Sequence, residues 1–378
     1  MTNETAVALQ RCESYDFDAV YAAVEKMMAD CPPPDVRGKT VLIKPNMLSP
    51  KKPEDAVCTH PVVVGAVVKA FVSRGARVIA GESPATANST AAAKAVGTYD
   101  AVIANGGEWD AFDDSVIISC PSATLVKSFE FARPFIKADV IVSVAKLKTH
   151  QLMAYTGVMK NMFGLMVGLK KAQMHFRFPD KKDFSEFLVD LNVACHTHYA
   201  VMDAIVGMEG KGGPGNGDPV ALGFLAASKN VLALDWTCAS IVGYKPHNVT
   251  YLEAARKRGI WFTDESEIKT IGATPEELKP ASFKIVVDTT TVRQGKLIPH
   301  WLYDMAVPFM RRSPKFVASK CINCGRCITI CPPHVLSFAP YSQNKKRVVV
   351  NRTKCVHCFC CHEICPVEAI KLVHFVLK

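Results

Sequence analysis

The chain has 378 residues, of which 49% are hydrophobic and 21% charged, and this composition excludes a wholly disordered protein and suggests two or three domains. No apolar run reaches the roughly 18 residues that a membrane span needs. The N-terminus lacks the pattern of a secretory signal, so we expect a cytoplasmic protein whose fifteen cysteines serve metal or redox chemistry rather than disulfides. The net charge of +10 lies entirely within residues 311–378, where there are twelve Lys and Arg but two Asp and Glu.

Strand-like and helix-like segments alternate through residues 38–245. The predicted fold class is α/β, with an open, mainly parallel sheet and helices on both of its faces. Strands are predicted at residues 40–43, 77–80, 139–147 and 199–205. Helices are predicted at residues 61–74, 91–96, 184–196 and 231–242, the first of them capped by Thr59.

The later part of the chain predicts two breaks in regular structure. Residues 272–281 are loop-like, and residues 311–315 (RRSPK) are typical of a linker. We therefore expect an α/β body over residues 1–310 and a smaller second domain over residues 311–378.

Polar residues follow the predicted strands of the body. They are Lys44 and Asn46 after the first strand, Glu82 after the second, Lys146, Lys148, Thr149 and His150 after the third, and Asp203 at the end of the fourth. Ligands bind at the carboxyl ends of the strands in open α/β sheets, so these groups are predicted to converge on one crevice. For each lysine alone, a solvated surface position is the competing interpretation.

The residue types suit an anionic ligand. A lysine ammonium offers a compact charge with three donors, whereas Asn46 and Thr149 can orient a ligand. His150 can transfer a proton near neutral pH, and Glu82 is the alternative group for proton transfer. We therefore predict that Lys148, His150 and Glu82 are catalytic, and that Lys44, Lys146 and Asp203 help to bind an anionic small molecule or a second cofactor.

Residues 157–168 (GVMKNMFGLMVG) place Lys160 and Asn161 within an apolar, methionine-rich stretch. The methionines are predicted to pack in the core rather than to bind a metal. An unpaired lysine is costly to bury, so Lys160 lies either at a binding site or beside a carboxylate. Both Lys160 and Asn161 are assigned to the predicted binding site.

Residues 209–217 (EGKGGPGNG) contain five glycines in nine residues. The segment is not a phosphate-binding P-loop, because no G-K-[ST] follows. Its amide groups can form an anion nest that includes Glu209 and Gly210, or it can be a mobile lid, or a plain flexible turn.

Two cysteine runs near the C-terminus share one spacing, C-x2-C-x2-C-x3-C-P, at an offset of 34 residues. This is the ligand pattern of a two-cluster ferredoxin, in which the last cysteine of each run binds the other cluster. The first [4Fe-4S] cluster is therefore assigned to Cys321, Cys324, Cys327 and Cys365. The second [4Fe-4S] cluster is assigned to Cys355, Cys358, Cys361 and Cys331.

A zinc site is the competing interpretation of paired C-x2-C motifs. Zinc does not explain a third cysteine at the same interval, the C-P ending or the duplication. Cys360 adds a second possible register, but only Cys361 keeps the spacing. We expect a small α+β domain of the ferredoxin type over residues 311–378.

Basic residues surround the cysteine runs. They are Arg326, Lys345, Lys346, Arg347, Arg352 and Lys354. They can offset the negative charge of the clusters and steer an acidic redox partner, such as a ferredoxin or a flavodoxin, or they can form a solvated face. No nucleic-acid-binding motif accompanies the charge.

Four segments of the body together resemble the domain of unknown function family numbered 362. They are K-P-N at residues 44–46, K-x-K-T-H at residues 146–150, G-x-x-K-N-x-F-G at residues 157–164 and a glycine loop, E-G-x-G-P, at residues 209–214. The resemblance covers residues 38–290 and implies a member of that family fused to a ferredoxin domain. The family is also distantly similar to nickel-dependent racemases of hydroxy acids, at the level of the fold alone.

Three functions remain open from the sequence. The first is an iron–sulfur oxidoreductase that passes single electrons to an anionic substrate or a second cofactor in the lysine-rich crevice. The second is a non-catalytic electron-transfer or cluster-delivery protein whose body docks a partner enzyme. The third is a metal-dependent isomerase or transferase with sensing clusters, which needs metal ligands from His150, Glu82, Asp203 or Glu209.

Overall fold

The computed structural model describes residues 5–85, 87–286, 312–342 and 345–373. The predicted boundary between residues 310 and 311 falls outside these ranges.

The body is built on one large, mostly parallel sheet. The strands of the body are, in chain order, β1 (Ala6–Arg11), β2 (Thr40–Pro45), β3 (Arg77–Gly81), β4 (Glu108–Asp110), β5 (Ser115–Ser119), β6 (Ser128–Ala132), β7 (Val140–His150), β8 (Ala154–Thr156), β9 (Tyr199–Glu209), β10 (Asp218–Ser228) and β11 (Lys269–Gly272). The strand order in the large sheet is β11-β1-β10-β9-β7-β2-β3-β4, and β8 pairs with the end of β7, whereas β5 and β6 form a separate two-stranded sheet. Only β10 runs antiparallel to its two neighbours, β1 and β9, within that order. The predicted α/β fold class is confirmed.

Helices cover both faces of the sheet. They are α1 (Phe17–Asp30), α2 (Pro61–Ser73), α3 (Ser89–Val96), α4 (Thr98–Ala104), α5 (Val158–Asn161), α6 (Lys170–Arg177), α7 (Lys181–Cys195), α8 (Val231–Ile241), α9 (Thr250–Arg258) and α10 (Pro275–Leu278). Successive side chains of a strand point to opposite faces. Val41 and Ile43 of β2 therefore join the core under α1 and α2, whereas Leu42 joins the core under α5, α7 and α8.

Several predicted boundaries are wrong. The strand expected to end at residue 147 continues to His150, because β8 pairs with its last residues through backbone hydrogen bonds. Thr59 does not cap α2: its hydroxyl donates to the Val144 carbonyl at 2.7 Å, and His60 Nδ1 accepts from the Val62 amide instead. The segment expected to be a loop contains α10.

The C-terminal part is a small α+β domain of two short sheets. Its strands are β12 (Ser313–Phe316), β13 (Leu336–Ser342), β14 (Lys345–Val350) and β15 (Ile370–Val373), and its helices are Arg326–Ile330 and Cys360–Glu363. β12 pairs with β15, and β13 pairs with β14. Most of the segment expected to be a linker is thus a strand of this domain.

The 34-residue repeat is also present in the backbone. Asn323 and His357 occupy matching positions with φ of 56° and 54°. Gly325 and Phe359 also match, with φ of 73° and 64°. This left-handed region suits glycine and strains a residue such as Phe359, so the tertiary structure of the second half must enforce it.

Candidate functional site

The cysteines assigned to each cluster lie together at two separate places. One small cavity is lined by Cys331, Cys355, Cys358 and Cys361, with Cys360 at its wall. A second small cavity is lined by Cys321, Cys324, Cys327 and Cys365. The exchange of the last cysteine between the two runs is therefore present in the fold.

The thiols of each quartet lie close enough to raise one another's pKa. Burial, with the neighbouring thiols of Cys324, Cys365 and Cys321, raises the pKa of Cys327 to about 11. Burial likewise raises the pKa of Cys361, and the three other thiols of its own quartet add to the shift. Thiolates packed this closely need positive charge among them, and iron ions supply it. The donor set at each place therefore suits a four-cysteine iron–sulfur cluster.

In the body, Lys44 is buried within a closed network. Its ammonium contacts the Glu82 carboxylate and donates to Asn161 Oδ1 at 2.8 Å and to the Pro45 carbonyl at 3.0 Å. Burial lowers the pKa of Lys44, and the charge of Glu82 acts against that shift. A Cβ on Gly164 would lie 2.3 Å from both Lys44 Nζ and Glu82 Oε1, so the ion pair requires glycine there.

Lys146 lies in a separate buried pair. Its Nζ is 2.9 Å from Asp203 Oδ2 and donates to the Tyr15 hydroxyl at 2.8 Å. The Tyr15 hydroxyl donates to Asp203 Oδ1 at 3.0 Å, and the His60 amide donates to Asp203 Oδ2 at 2.9 Å. The Tyr15 ring stacks on the His60 ring at 3.5 Å. This pair is satisfied within the chain.

Lys148 is buried among neutral oxygens. Its Nζ donates to Asn46 Oδ1 at 2.8 Å and to the Val57 carbonyl at 2.7 Å. Burial lowers the pKa of Lys148 to about 7, and the nearby charge of Lys160 adds to the shift. Asn46 Nδ2 in turn donates to Asn161 Oδ1, so Lys44 and Lys148 belong to one hydrogen-bonded group.

His150 faces the ferredoxin-type domain. Its Nδ1 accepts from the amides of Leu152 and Met153 at 3.0 and 3.2 Å, so a neutral ring carries its proton on Nε2. Burial lowers the pKa of His150 well below its usual range, and Lys160 contributes to the shift. Nε2 lies 3.5 Å from Oε1 of Glu363.

Glu363 is the residue through which the two parts meet at this site. It ends the helix Cys360–Glu363, between two cluster cysteines, and its Oε1 is buried without a hydrogen bond in the described part of the chain. Burial raises the pKa of Glu363, while the charges of Lys160 and Lys148 oppose that shift. Burial lowers the pKa of Lys160, and the charge of Glu363 opposes this shift most strongly. We call Lys148, His150, Lys160 and Glu363 the junction cluster.

The glycine loop supports this junction. Thr149 Oγ1 donates to the Gly210 carbonyl at 2.8 Å, and the Gln151 amide donates to the Gly213 carbonyl at 3.3 Å. On its other side, Asn216 Nδ2 donates to the His362 carbonyl at 3.3 Å. The loop is therefore wedged between the end of β7 and the helix Cys360–Glu363.

Glu209 lies apart from the junction cluster. Its carboxylate accepts from the Lys284 amide at 2.7 Å and pairs with Lys284 Nζ at 2.9 Å. Among the described residues of the body, no three His, Cys, Asp or Glu side chains lie close enough together to hold a single metal ion. The four residues named as possible metal ligands, Glu82, Asp203, Glu209 and His150, have different neighbours there and do not form one site.

The predicted site residues fall into three groups. Lys44, Glu82, Asn46, Asn161 and Lys148 are connected by hydrogen bonds, with Lys160 and His150 beside them at the junction cluster; Lys146 and Asp203 form the pair with Tyr15, and Thr149, Glu209 and Gly210 hold the glycine loop. Sequence reasoning missed Tyr15 and Glu363. It also missed Asp235, which accepts from the amides of Val158 and Met159 at the start of α5 and so positions Lys160. The only signal for Asp235 in the sequence is that it is a single aspartate within the apolar helix predicted at residues 231–242.

With this geometry, comparison with known proteins identifies the family. The family model described as "Domain of unknown function (DUF362)" matches residues 41–240, which is more than half of the chain. The chain belongs to the DUF362 family. A second model, described as a 4Fe-4S dicluster domain, matches residues 320–369. This DUF362 member is therefore an iron–sulfur protein with a C-terminal ferredoxin-type domain, as the cysteine spacing predicted.

Two individual proteins are similar to this DUF362 member. The "Thylakoid-associated protein sll1697" of Synechocystis sp. is 29% identical over 295 residues, which are 74% of this chain and 87% of the relative. The lactate racemase apoprotein from Thermoanaerobacterium thermosaccharolyticum is 12% identical, with a TM-score of 0.37. That match covers 61% of this chain and spans 55% of the racemase chain. In the described residues, no helix is both long and apolar enough to cross a membrane.

Proposed function

We propose that the protein is an iron–sulfur oxidoreductase that reduces an anionic substrate or a second cofactor at the junction cluster. The observation that carries this proposal is the contact between Glu363, which lies between two cluster cysteines, and His150 of the body. A ferredoxin-type domain that serves only a separate enzyme has no need to place a residue against the buried lysines of its own chain.

When bound, the two clusters supply single electrons at low potential. The chain's own residues hold them with the eight assigned cysteines. Cys360, which lines the cavity of the second cluster and is buried, has Lys160 as an electrostatic neighbour. Through Cys360, the second cluster site thus lies beside the body. Cys324 of the first cluster site is exposed instead.

The junction cluster has the groups that reduction of an anion requires. In the described residues, no carboxylate of the body forms an ion pair with Lys148 or Lys160. Their ammonium groups can therefore provide positive charge for an anion. His150 Nε2 carries the single proton of a neutral ring and lies 3.5 Å from Glu363 Oε1, so it can donate a hydrogen bond to an anion that takes the place of this carboxylate. Glu363 occupies the position where a substrate carboxylate or phosphate would lie, and we expect the substrate anion to replace it there.

A second candidate function is electron transfer without catalysis. The buried pairs Lys44–Glu82 and Lys146–Asp203 favour it, because both use lysine to satisfy the chain's own carboxylates. In that case the body is a docking platform, and the junction cluster fixes the ferredoxin-type domain upon it.

We infer that the electron donor is an acidic redox protein. Arg326, Lys346, Arg347, Arg352 and Lys354 are exposed on the ferredoxin-type domain, as is Ile322 beside Cys324. The side chain of Lys345 lies outside the described residues. Such a surface predicts reduction rates that fall as ionic strength rises. We also propose a cytoplasmic location, because free cysteines suit a reducing compartment, with association at a membrane surface as the alternative suggested by the relative's name.

Native mass spectrometry of anaerobically purified protein, compared with its denatured mass, is the first test. A bound species in addition to two clusters supports a substrate or cofactor site in the body. Two clusters alone, together with a protein partner that co-purifies, supports the electron-transfer alternative.

The site assignment has its own test. Protein reduced with dithionite is mixed with a panel of carboxylates and phosphates, and reoxidation is followed by the visible absorbance of the clusters. For an accepted substrate, we expect Lys148→Met and His150→Gln each to slow reoxidation by about a hundredfold or more. Lys346→Gln, which removes an exposed charge away from the junction, is the matched control. Equal rates in all four proteins would exclude this site.

A further inference from the structure

The two cysteine runs of the ferredoxin-type domain are equivalent, residue by residue, through the 34-residue repeat. A difference between matching positions therefore shows what each run packs against. In the second run, the body covers the helix Cys360–Glu363: Glu363 Oε1 lies 3.5 Å from His150 Nε2, and the His362 carbonyl accepts from Asn216. This face of the second run is thus an interface within the chain.

The matching face of the first run is open to solvent. Arg326 and Thr329 hold the positions that the two ends of the helix Cys360–Glu363 hold in the second run, and both are exposed. Cys324, a ligand of the first cluster, is also exposed, whereas its counterpart Cys358 is partly buried. An exposed ligand is the place where another protein can bring its own redox centre closest to the iron.

Two exposed apolar side chains lie beside this ligand. Ile322 lines the first cluster site and is 60% exposed. The ring of Phe338, which is 38% exposed, comes within 3.9 Å of the place that a Cβ would take on Gly325, the residue after Cys324. Large apolar side chains at the centre of a polar surface are typical of protein–protein contacts. We call Ile322, Cys324, Arg326, Thr329 and Phe338 the open face.

The charge of the open face indicates the chemistry of its partner. The covered face of the second run presents an acid, Glu363, to lysines of the body. The open face presents a base, Arg326, instead. Residues 311–378 contain twelve Lys and Arg, against Glu363 and Glu368 alone, so the field around the open face is positive. A partner that matches it is acidic, with an apolar centre.

The interior of the domain connects the open face with the body. Cys327 of the first quartet and Cys361 of the second are buried in one apolar core, together with Ile330 and Ile364. The second cluster site lies beside the junction cluster through Cys360. The first cluster is therefore the one nearer to solvent, and the second is the one nearer to the body.

We propose that an acidic electron donor docks on the open face, so that electrons enter at the first cluster and leave from the second. Each electron passes from the reduced donor to the oxidised first cluster, then to the second cluster and then to the acceptor, so the donor loses as many electrons as the acceptor gains. Ile322 and Phe338 pack against the apolar centre of the donor, and Arg326 pairs with its carboxylates. This inference rests on the electron-transfer role proposed above and holds for both candidate functions.

Stopped-flow measurement of electron exchange with a plant-type [2Fe–2S] ferredoxin, which is the acidic probe, tests the proposal. The exchange with anaerobic holoprotein is started from whichever of the two proteins has the lower potential, because docking is the same in both directions. Ile322→Gln should lower the second-order rate constant about tenfold, because an apolar contact at the centre of the interface is lost. Arg326→Gln should lower it about threefold at low salt and weaken its dependence on ionic strength.

Matched variants and a small reductant separate docking from damage to a cluster. Arg352→Gln removes the same charge beside the second cluster, since Arg352 is exposed and is an electrostatic neighbour of Cys355. Ile117→Gln replaces an isoleucine of the body that is 72% exposed. Both should exchange electrons with the ferredoxin within about twofold of the wild-type rate. Dithionite, which needs no docking surface, should reduce all of these proteins at rates within about twofold of one another.

Three results would overturn the proposal. The first is the absence of exchange between wild-type protein and the ferredoxin. The second is a loss in Arg352→Gln as large as that in Arg326→Gln, which would place the donor at the second cluster. The third is a wild-type rate in Ile322→Gln or, if that variant loses a cluster, in Arg326→Gln at low salt. The exchange is measured without substrate, so its outcome is independent of reoxidation at the junction cluster.

Discussion

The stability of the protein should depend on pH through Lys148, which is 1% exposed and whose pKa burial lowers from 10.5 to about 7. Below pH 7, both the folded and the unfolded states bind this proton, and the folded state bears the full cost of the buried charge. Between pH 7 and 10.5, only the unfolded state binds it, so stability rises with pH. Above 10.5, neither state does, and the contribution is constant.

The change is large enough to measure. Each unit of pKa shift corresponds to about 1.4 kcal/mol. The free energy of unfolding should therefore rise by about 4 to 5 kcal/mol in total, of which about 2 kcal/mol falls between pH 7 and pH 9. In Lys148→Met this contribution is absent, but Asn46 Oδ1 and the Val57 carbonyl lose their donor. That loss costs about 1–3 kcal/mol for each acceptor at any pH. The two effects nearly cancel at pH 7, so the slope with pH is the decisive quantity.

Thermal unfolding of wild-type protein and Lys148→Met under anaerobic conditions, at pH values from 6 to 9, measures that slope. Between pH 7 and pH 9, the melting temperature of the wild-type protein should rise by a few degrees relative to that of Lys148→Met. The melting temperature of Lys346→Met, a substitution at an exposed position, should change with pH as that of the wild type does. A constant difference between wild type and Lys148→Met across this range would mean that the ammonium keeps an ordinary pKa and that its burial is compensated in another way.

Three further changes test the arrangement of the chain. Cys361→Ala should lower iron from about eight atoms per chain by about four, whereas Cys360→Ala should leave the iron content unchanged, by elemental analysis. Gly164→Ala should destabilise the protein by about 3 kcal/mol in denaturant unfolding, because its Cβ displaces a buried ion pair. Lys146→Met should cost about 3–5 kcal/mol by leaving Asp203 unpaired, and adding Asp203→Leu should restore most of it.

The cluster ligands could be predicted from the sequence because their geometry is almost entirely local. Three cysteines of each quartet lie within seven residues, on one short loop that ends in a helix carrying the third cysteine. The fourth ligand, Cys365 or Cys331, comes from the other half, and the 34-residue repeat reveals it. The mainly parallel sheet could also be predicted, because strands and helices alternate along the chain.

The end of β7 shows what the sequence could not reveal. The apolar pattern stops at Leu147, and a lysine, a threonine and a histidine follow, which indicates that the strand ends there. The backbone continues to His150 because β8 returns to pair with it. The buried ammonium groups are tolerated only because their partners arrive from far along the chain: Tyr15 lies 131 residues from Lys146.

Glu363 was missed for a related reason. In the sequence it is one of two acidic residues in a basic domain, and nothing in the spacing of the cysteines distinguishes it from a surface residue. Its position against His150 follows from the packing of the helix Cys360–Glu363 on the glycine loop. Such packing between two parts of a chain has no periodic pattern that a single sequence displays.

Lys146 and Lys148 lie two residues apart on one strand, yet they have different chemistry. A register shift between them, where β7 pairs with β9, gives them different surroundings. Lys146 has a carboxylate at 2.9 Å and a tyrosine hydroxyl, so its charge is compensated and its proton is held. Lys148 has only an amide oxygen and a carbonyl, so its proton is readily lost near neutral pH. Of the lysines in the motif K-x-K-T-H, the second is therefore the one whose charged form an anion bound beside the ferredoxin-type domain would stabilise.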